Sequence, residues 1–424
     1  MPRVRVLMLS WEYPPVLVGG LGRHVHALAE ALVRAGHEVT VVSRHPGTAG
    51  VAYDEVRGGV RVVRVPEDPS LLSFTDDLLA WTMALNHTLT RAGLAVCAGE
   101  TFDVVHAHDW LVAHAATTLK HHLRVPLVAT LHATEAGRHQ GWLPGPLNRG
   151  IHSIEWWLTY EARRVIACSA YMRWEVTRLF ELPPEKVDVL PNGVDVARWQ
   201  VAPDQVAAAR RRWAGDGPLL SYGGRLVHEK GVQDLIAAVP RLRRRHPGLR
   251  LVVAGTGPAA EELREQARGL RLGRSVAFAG FVPDADLAAL VAAADCAVVP
   301  SRYEPFGLVA LEATAAGTPV AVADVGGLAE IVADGRTGVR FAPGDPAALA
   351  DAVDGVLADQ VRARRMVRAG RAGLAAEHTW AGVAERTAAT YALAVTQERA
   401  LHASGRAAPR LVVRDGNLLT GASS

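Results

Sequence analysis

Two carboxylates, Glu304 and Glu312, stand eight positions apart in a 424-residue chain, separated by Pro305-Phe306-Gly307 and then Leu308 onward. Proline at 305 biases Glu304 towards extended backbone and ends the strand before it. Gly307 permits backbone geometry closed to other residues, and the Leu308–Ala316 run has helical spacing. The free amides of that helix's first turn therefore point outward, where they and the helix dipole favour an anion. A carboxylate beside such a mouth can accept hydrogen bonds from sugar hydroxyls, and one further into the helix can hold a ribose. Arg225 follows a strand-like run and Lys230 precedes a helical one, so the pair can neutralise a diphosphate without a metal. This chemistry suits a nucleotide sugar.

Other groups fall at the ends of strand-like runs. Glu12 and then Gly19-Gly20-Leu21-Gly22-Arg23-His24 follow the first of them, and glycines there let backbone approach a phosphate. The dinucleotide fingerprint is not met, because Val25 stands where its third glycine would be. In His106-Ala107-His108-Asp109-Trp110, alternation sends both histidines to one face, a spacing a metal could use. His114, His121 and His122 lie at other spacings, so nothing nearby completes that set. Leu131-His132-Ala133-Thr134-Glu135, with Arg138 beyond, ends at the carboxyl edge of a sheet, where open α/β sheets bind ligands. Gly255-Thr256-Gly257 and Gly280-Phe281-Val282 follow two further strands. Asp284-Ala285-Asp286 has the letters of an acidic metal motif but reads as a helix cap, so no required metal and no cofactor is expected.

The stretch E-P-F-G-L-x-x-L-E-A at 304–313 resembles the signature of retaining GT-B glycosyltransferases, especially family 4 and the bacterial glycogen synthases. Arg225 to Gly231 is similar to that group's R-x-x-x-x-K-G, and Asn192-Gly193-Val194-Asp195 to its N-G-[IV]-D. The words SWEYPP, GGLGRHV, HAHDWLVAH and LHATEAGRH look like the actinobacterial α-(1→4)-glucosyltransferases of glycogen and methylglucose lipopolysaccharide synthesis.

The resemblance implies transfer of a glucosyl unit, with retention, from a UDP-, ADP- or GDP-linked sugar to a glucan or glycolipid acceptor. It implies catalytic roles for His132, Asp109, Glu304, Arg225 and Lys230. Donor contacts fall on Gly20, Gly22, Gly255, Gly257, Phe281, Val282, Phe306, Gly307, Leu308 and Glu312, with Glu12, Glu135 and Arg138 on the acceptor side. A lipid-directed mannosyltransferase shares nearly all these motifs. A glycan phosphorylase would need pyridoxal phosphate and a longer chain, and a non-catalytic sugar-nucleotide sensor would have little use for both Glu304 and Lys230.

Short apolar runs alternating with helical patterns place these residues on βαβ units and parallel sheets. The length implies two domains. The expected architecture is α/β of the GT-B type, with two Rossmann-like domains facing across a cleft. The boundaries read 1–197 for the acceptor side, 198–379 for the nucleotide side, 380–400 for a helix crossing back, and 401–424 for a mobile tail rich in Gly, Ser, Ala and Arg. A hydrophobic share of 49% and a formal net charge of +3 describe an ordinary globular protein and do not indicate nucleic-acid binding. Cys97, Cys168 and Cys296 read as small hydrophobes in a reducing cytosol. No apolar run is long enough to span a bilayer, which leaves a cytoplasmic protein compatible with peripheral membrane contact.

Overall fold

The computed structural model describes residues 3–45, 47, 53–67, 71–404 and the backbone of 412–414 and 417–419. Eight strands form the first sheet: β1 Arg5–Leu9, β2 Glu38–Arg44, β3 Tyr53–Arg57, β4 Val60–Val65, β5 Val104–His108, β6 Leu127–Leu131, β7 Arg164–Ala167 and β8 Val187–Val189. Their order is β3-β4-β2-β1-β5-β6-β7-β8, parallel throughout except for the β3–β4 pair. Six parallel strands form the second: β9 Leu219–Gly223, β10 Arg250–Ala254, β11 Val276–Gly280, β12 Cys296–Val299, β13 Val320–Ala323 and β14 Val339–Phe341, in the order β11-β10-β9-β12-β13-β14.

The central strands are buried on both faces: the β1 residues Val6 to Leu9 and the whole of β6 are buried, and helices cover both sides. Strand order reverses between β1 and β5 in one sheet and between β9 and β12 in the other. Those reversals open crevices at the carboxyl ends of the strands. The core of the first lobe runs without a break into Val299, Phe306, Leu311 and Leu328 of the second, so the lobes share an apolar seam.

Two chain passages cross that seam side by side. The Val194 amide donates to the His378 carbonyl at 2.9 Å, and His378 Nδ1 lies 3.1 Å from the Asn192 carbonyl. Gly193 does not take positive φ. What it supplies is room: a Cβ would lie 2.8 Å from the Trp380 ring and 3.0 Å from the Trp380 amide nitrogen. The helix Trp380–Ala403 then packs on helix Gly20–Arg34 and on β5 and β6, back in the first lobe.

The two parallel sheets expected from short apolar runs alternating with helical patterns are present. β3 escapes the pattern because it is an edge strand with exposed, charged residues. The helix expected over 380–400 runs Trp380–Ala403, and β15 Val412–Arg414 pairs antiparallel with β16 Asn417–Leu419; the rest of the expected mobile tail beyond residue 404 lies outside the described residues. No helix among the described residues is long and apolar enough to cross a membrane.

Candidate active site between the two sheets

The first wall is built around the β1–β5 reversal. Glu12, just past β1, turns its carboxylate back onto the loop it precedes: Oε2 accepts from the Val18 and Gly19 amides at 2.7 and 2.9 Å. Gly22 packs beneath, where a Cβ would lie 2.9 Å from that of Glu12. A Cβ on Gly20 would reach within 3.3 Å of Leu308 Cδ1 in the other lobe, so the glycine loop faces the helix Leu308–Ala316 across the cleft.

Asp109 leaves β5 with φ of 61° and accepts the His132 amide on Oδ1 at 2.7 Å. Burial pushes its carboxyl up to about 7. Burial pushes His132 down to about 3, so its imidazole is neutral and serves as a hydrogen-bonding group. Thr134 caps the short helix Glu135–Arg138. Glu135 accepts from Asn148 Nδ2 at 2.6 Å, while its amide donates to Glu155 Oε1 at 2.8 Å.

The second wall is built around the β9–β12 reversal. Lys230 Nζ donates to Glu304 Oε2 at 2.8 Å, and Ser301 Oγ donates to the same oxygen at 2.9 Å. Glu229 Oε1 lies 3.8 Å from both Arg225 and Arg138, so one carboxylate joins cations from the two lobes. Gly307 takes φ of 108° at the N-cap of helix Leu308–Ala316, a conformation that favours glycine and aims the first-turn amides into the cleft. Gly255 and Phe281 also line the cleft, and the Phe281 side chain is exposed.

One cleft of about 860 Å³ holds nearly the whole set. It is lined by Glu12, Gly20, Asp109, His132, Glu135, Arg138, Arg225, Lys230, Gly255, Phe281, Val282, Glu304, Phe306, Gly307, Leu308 and Glu312. Gly22 and Gly257 do not line it. Asp284 and Asp286 sit in the first turn of helix Asp284–Ala293, whose N-cap is Pro283, and Asp284 pairs with Arg198.

Three features were not read from the sequence. Glu312 Oε1 is occupied by Arg23 Nη1 at 3.1 Å, a bridge between lobes, and burial raises the Glu312 carboxyl. Tyr303 spans the lobes beside Glu304. The histidine pair does find company: His24, His108 and His132 bring one ring nitrogen each within 4.8 Å of one another. Sequence spacing within the H-x-H segment could not show this, because His24 and His132 arrive from a different helix and a different strand end. His106 stands apart, with its nitrogens 2.7 Å from Tyr391 Oη and 2.7 Å from Thr130 Oγ1.

The family descriptions "Glycosyltransferase Family 4" and "Glycosyl transferases group 1" match residues 18–198 and 206–373. The chain is 50% identical over 405 residues to a glycogen synthase of Mycobacterium tuberculosis, covering 93% of this chain and 96% of that one. It is 33% identical over 410 residues to the α-maltose-1-phosphate synthase of Mycolicibacterium smegmatis, covering 92% and 99%. Among solved structures it resembles sucrose-phosphate synthase from Thermosynechococcus elongatus, with a TM-score of 0.80, 26% identity, and coverage of 95% and 100%. Together with the facing sheets and the cleft between them, these matches establish that the chain belongs to the group 1/family 4 glycosyltransferases of GT-B architecture.

Proposed function

We propose that this enzyme transfers a glucosyl unit, with retention, from a UDP-, ADP- or GDP-linked glucose to an α-1,4-glucan or a methylglucose-type acceptor, in the cytoplasm and without a required metal. The observation that carries it is the Lys230–Glu304 pair at the mouth of helix Leu308–Ala316, facing His132 and Asp109 in one cleft. Similarity to a glycogen synthase supports the glucan acceptor.

Arg225, Lys230 and the amides at Gly307 and Leu308 take up the charge on the departing diphosphate. The bond from C1 to the β-phosphate oxygen breaks as the bond from C1 to the acceptor oxygen forms on the same face. The acceptor proton passes to the leaving diphosphate. Glu304 orients the sugar, Glu312 takes the ribose in exchange for Arg23, and neutral His132 with Asp109 positions the reacting end. The bodies that close on the donor are 1–197 with the returning helix, and 198–379; their closure excludes water.

The test is to incubate the protein with UDP-, ADP- and GDP-glucose, and with GDP-mannose, alongside maltooligosaccharides. Extension by α-1,4-linked glucose from one of the glucose donors is the expected result. Transfer confined to mannose, or binding of donors without transfer or hydrolysis, would overturn the reading in favour of the mannosyltransferase or the sensor.

A further inference from the structure

The wall behind the sugar end of the cleft holds a group that this mechanism uses only in part. His24 and His108 are buried, at 5% and 0% exposure, and neither lines the cleft; His132 does. The rings of His24 and His132 are 4.8 Å apart between centroids, those of His24 and His108 5.7 Å, and those of His108 and His132 5.4 Å. His108 Nδ1 and His132 Nε2 are 3.1 Å apart. A tetrahedral zinc with nitrogens at about 2.0–2.1 Å holds them about 3.3 Å from each other, so two ligands already stand at working separation. The third lies within 4.8 Å.

Hydrogen bonding within the protein does not satisfy the cluster. His24 Nδ1 is buried with no partner and His108 Nδ1 faces only His132 Nε2, in contrast to neighbouring His106, whose two nitrogens bond to Tyr391 and Thr130 hydroxyls. Unpartnered buried nitrogens are costly, and ordinary core histidines avoid them. Asp109, bonded to the His132 amide, brings a carboxylate into the same wall and offsets part of a cation's charge.

We propose that His24, His108 and His132 form an inhibitory site for a borderline divalent cation of the Zn²⁺ type, with the fourth coordination position open towards the cleft. Three imidazoles and an open position match the donor set that zinc accepts, and hard cations such as Mg²⁺, which prefer oxygen, have no comparable ligands here. Ligation fixes the His132 ring and places a charged ion at the sugar end, so donor sugar and ion exclude one another. Binding itself does not depend on the proposed reaction; only the inhibition rests on that reading.

The experiment uses the full chain without a polyhistidine tag, titrated with Co²⁺ and with Zn²⁺ against a chelating dye. Expected are one equivalent bound, the intense visible bands of tetrahedral Co²⁺, and their displacement by Zn²⁺. His24→Gln and His108→Asn should each weaken Zn²⁺ binding by more than about tenfold, since even altering a residue behind a ligand costs about 10–100-fold. Thermal melting of each variant separates loss of the site from loss of the fold, and either variant alone suffices if the other unfolds. No binding by the intact protein, octahedral Co²⁺ spectra, or unchanged Zn²⁺ affinity in a folded His24 or His108 variant would overturn the site. Tight Zn²⁺ binding with undiminished glucosyl transfer would overturn its inhibitory role alone.

Discussion

Tyr303 Oη donates to Glu175 Oε1 at 2.8 Å, joining the loop after β12 to helix Ala170–Leu179 of the opposite lobe. The same hydroxyl accepts from the Thr134 amide at 3.2 Å, and Thr134 Oγ1 donates to Glu175 Oε1 at 2.6 Å. Next to it, Ser169 Oγ donates to the Pro305 carbonyl at 2.6 Å. The Glu304–Gly307 loop is therefore anchored on both sides: its carboxylate binds Lys230 in its own lobe, and its flanking residues bind the first lobe.

Replacing Tyr303 with Phe removes one hydroxyl and leaves the Thr134 amide without its acceptor in a buried setting. A loss of about 1–3 kcal/mol is expected, seen as a lower denaturant midpoint. Gly137 packs against the Tyr303 ring, which phenylalanine preserves, so the effect isolates the polar contacts. An unchanged midpoint would mean that the hydroxyl network carries no stability.

Lys230→Ala and Glu304→Ala should each lower kcat by about 10²–10³-fold, the usual consequence of losing one preorganised electrostatic contact, while circular dichroism remains native. The two side chains touch each other, and the proposed mechanism has both act on the donor, so the double variant should be far less than additive. Additive losses in steady-state kinetics would show that they act separately.

The Asp109 carboxyl, raised from the ordinary carboxylate range to about 7 by burial, makes a specific prediction for stability against pH. The folded state holds this proton more tightly than the unfolded chain. The resulting stabilisation is complete below about pH 4 and is lost as pH rises through about 7. Asp109→Asn should flatten that part of the profile, so that the variant gains on the parent between pH 5 and 8 in thermal melts. A parallel pair of curves would contradict the burial argument. His132, pushed down to about 3 by burial, adds a slope of the opposite sign up to about pH 6.5, where the unfolded imidazole loses its proton; parent and variant share it, so the difference between their curves isolates Asp109.

The sequence made the frame legible because its strands are buried on both faces and so read as continuous apolar runs. Residues at strand ends, such as Asp109, His132 and Arg225, could be placed at the carboxyl edge for the same reason. What it could not show depends on long-range meetings: Arg23 against Glu312, Tyr303 against Glu175, and His24 against His108 and His132. Each joins residues more than eighty positions apart, and no local period encodes them. Gly193 illustrates the difference: it leaves space for Trp380, a residue from a distant part of the chain.

The central claim is that cations and helix-mouth amides of the second lobe hold a pyrophosphate. Titration calorimetry with UDP and ADP on the wild type, Arg225→Ala and Lys230→Ala tests it most directly. At least one nucleotide should bind the wild type, and each variant should lose about tenfold or more in affinity, about 1.4 kcal/mol. Wild-type affinity in both folded variants would contradict the account.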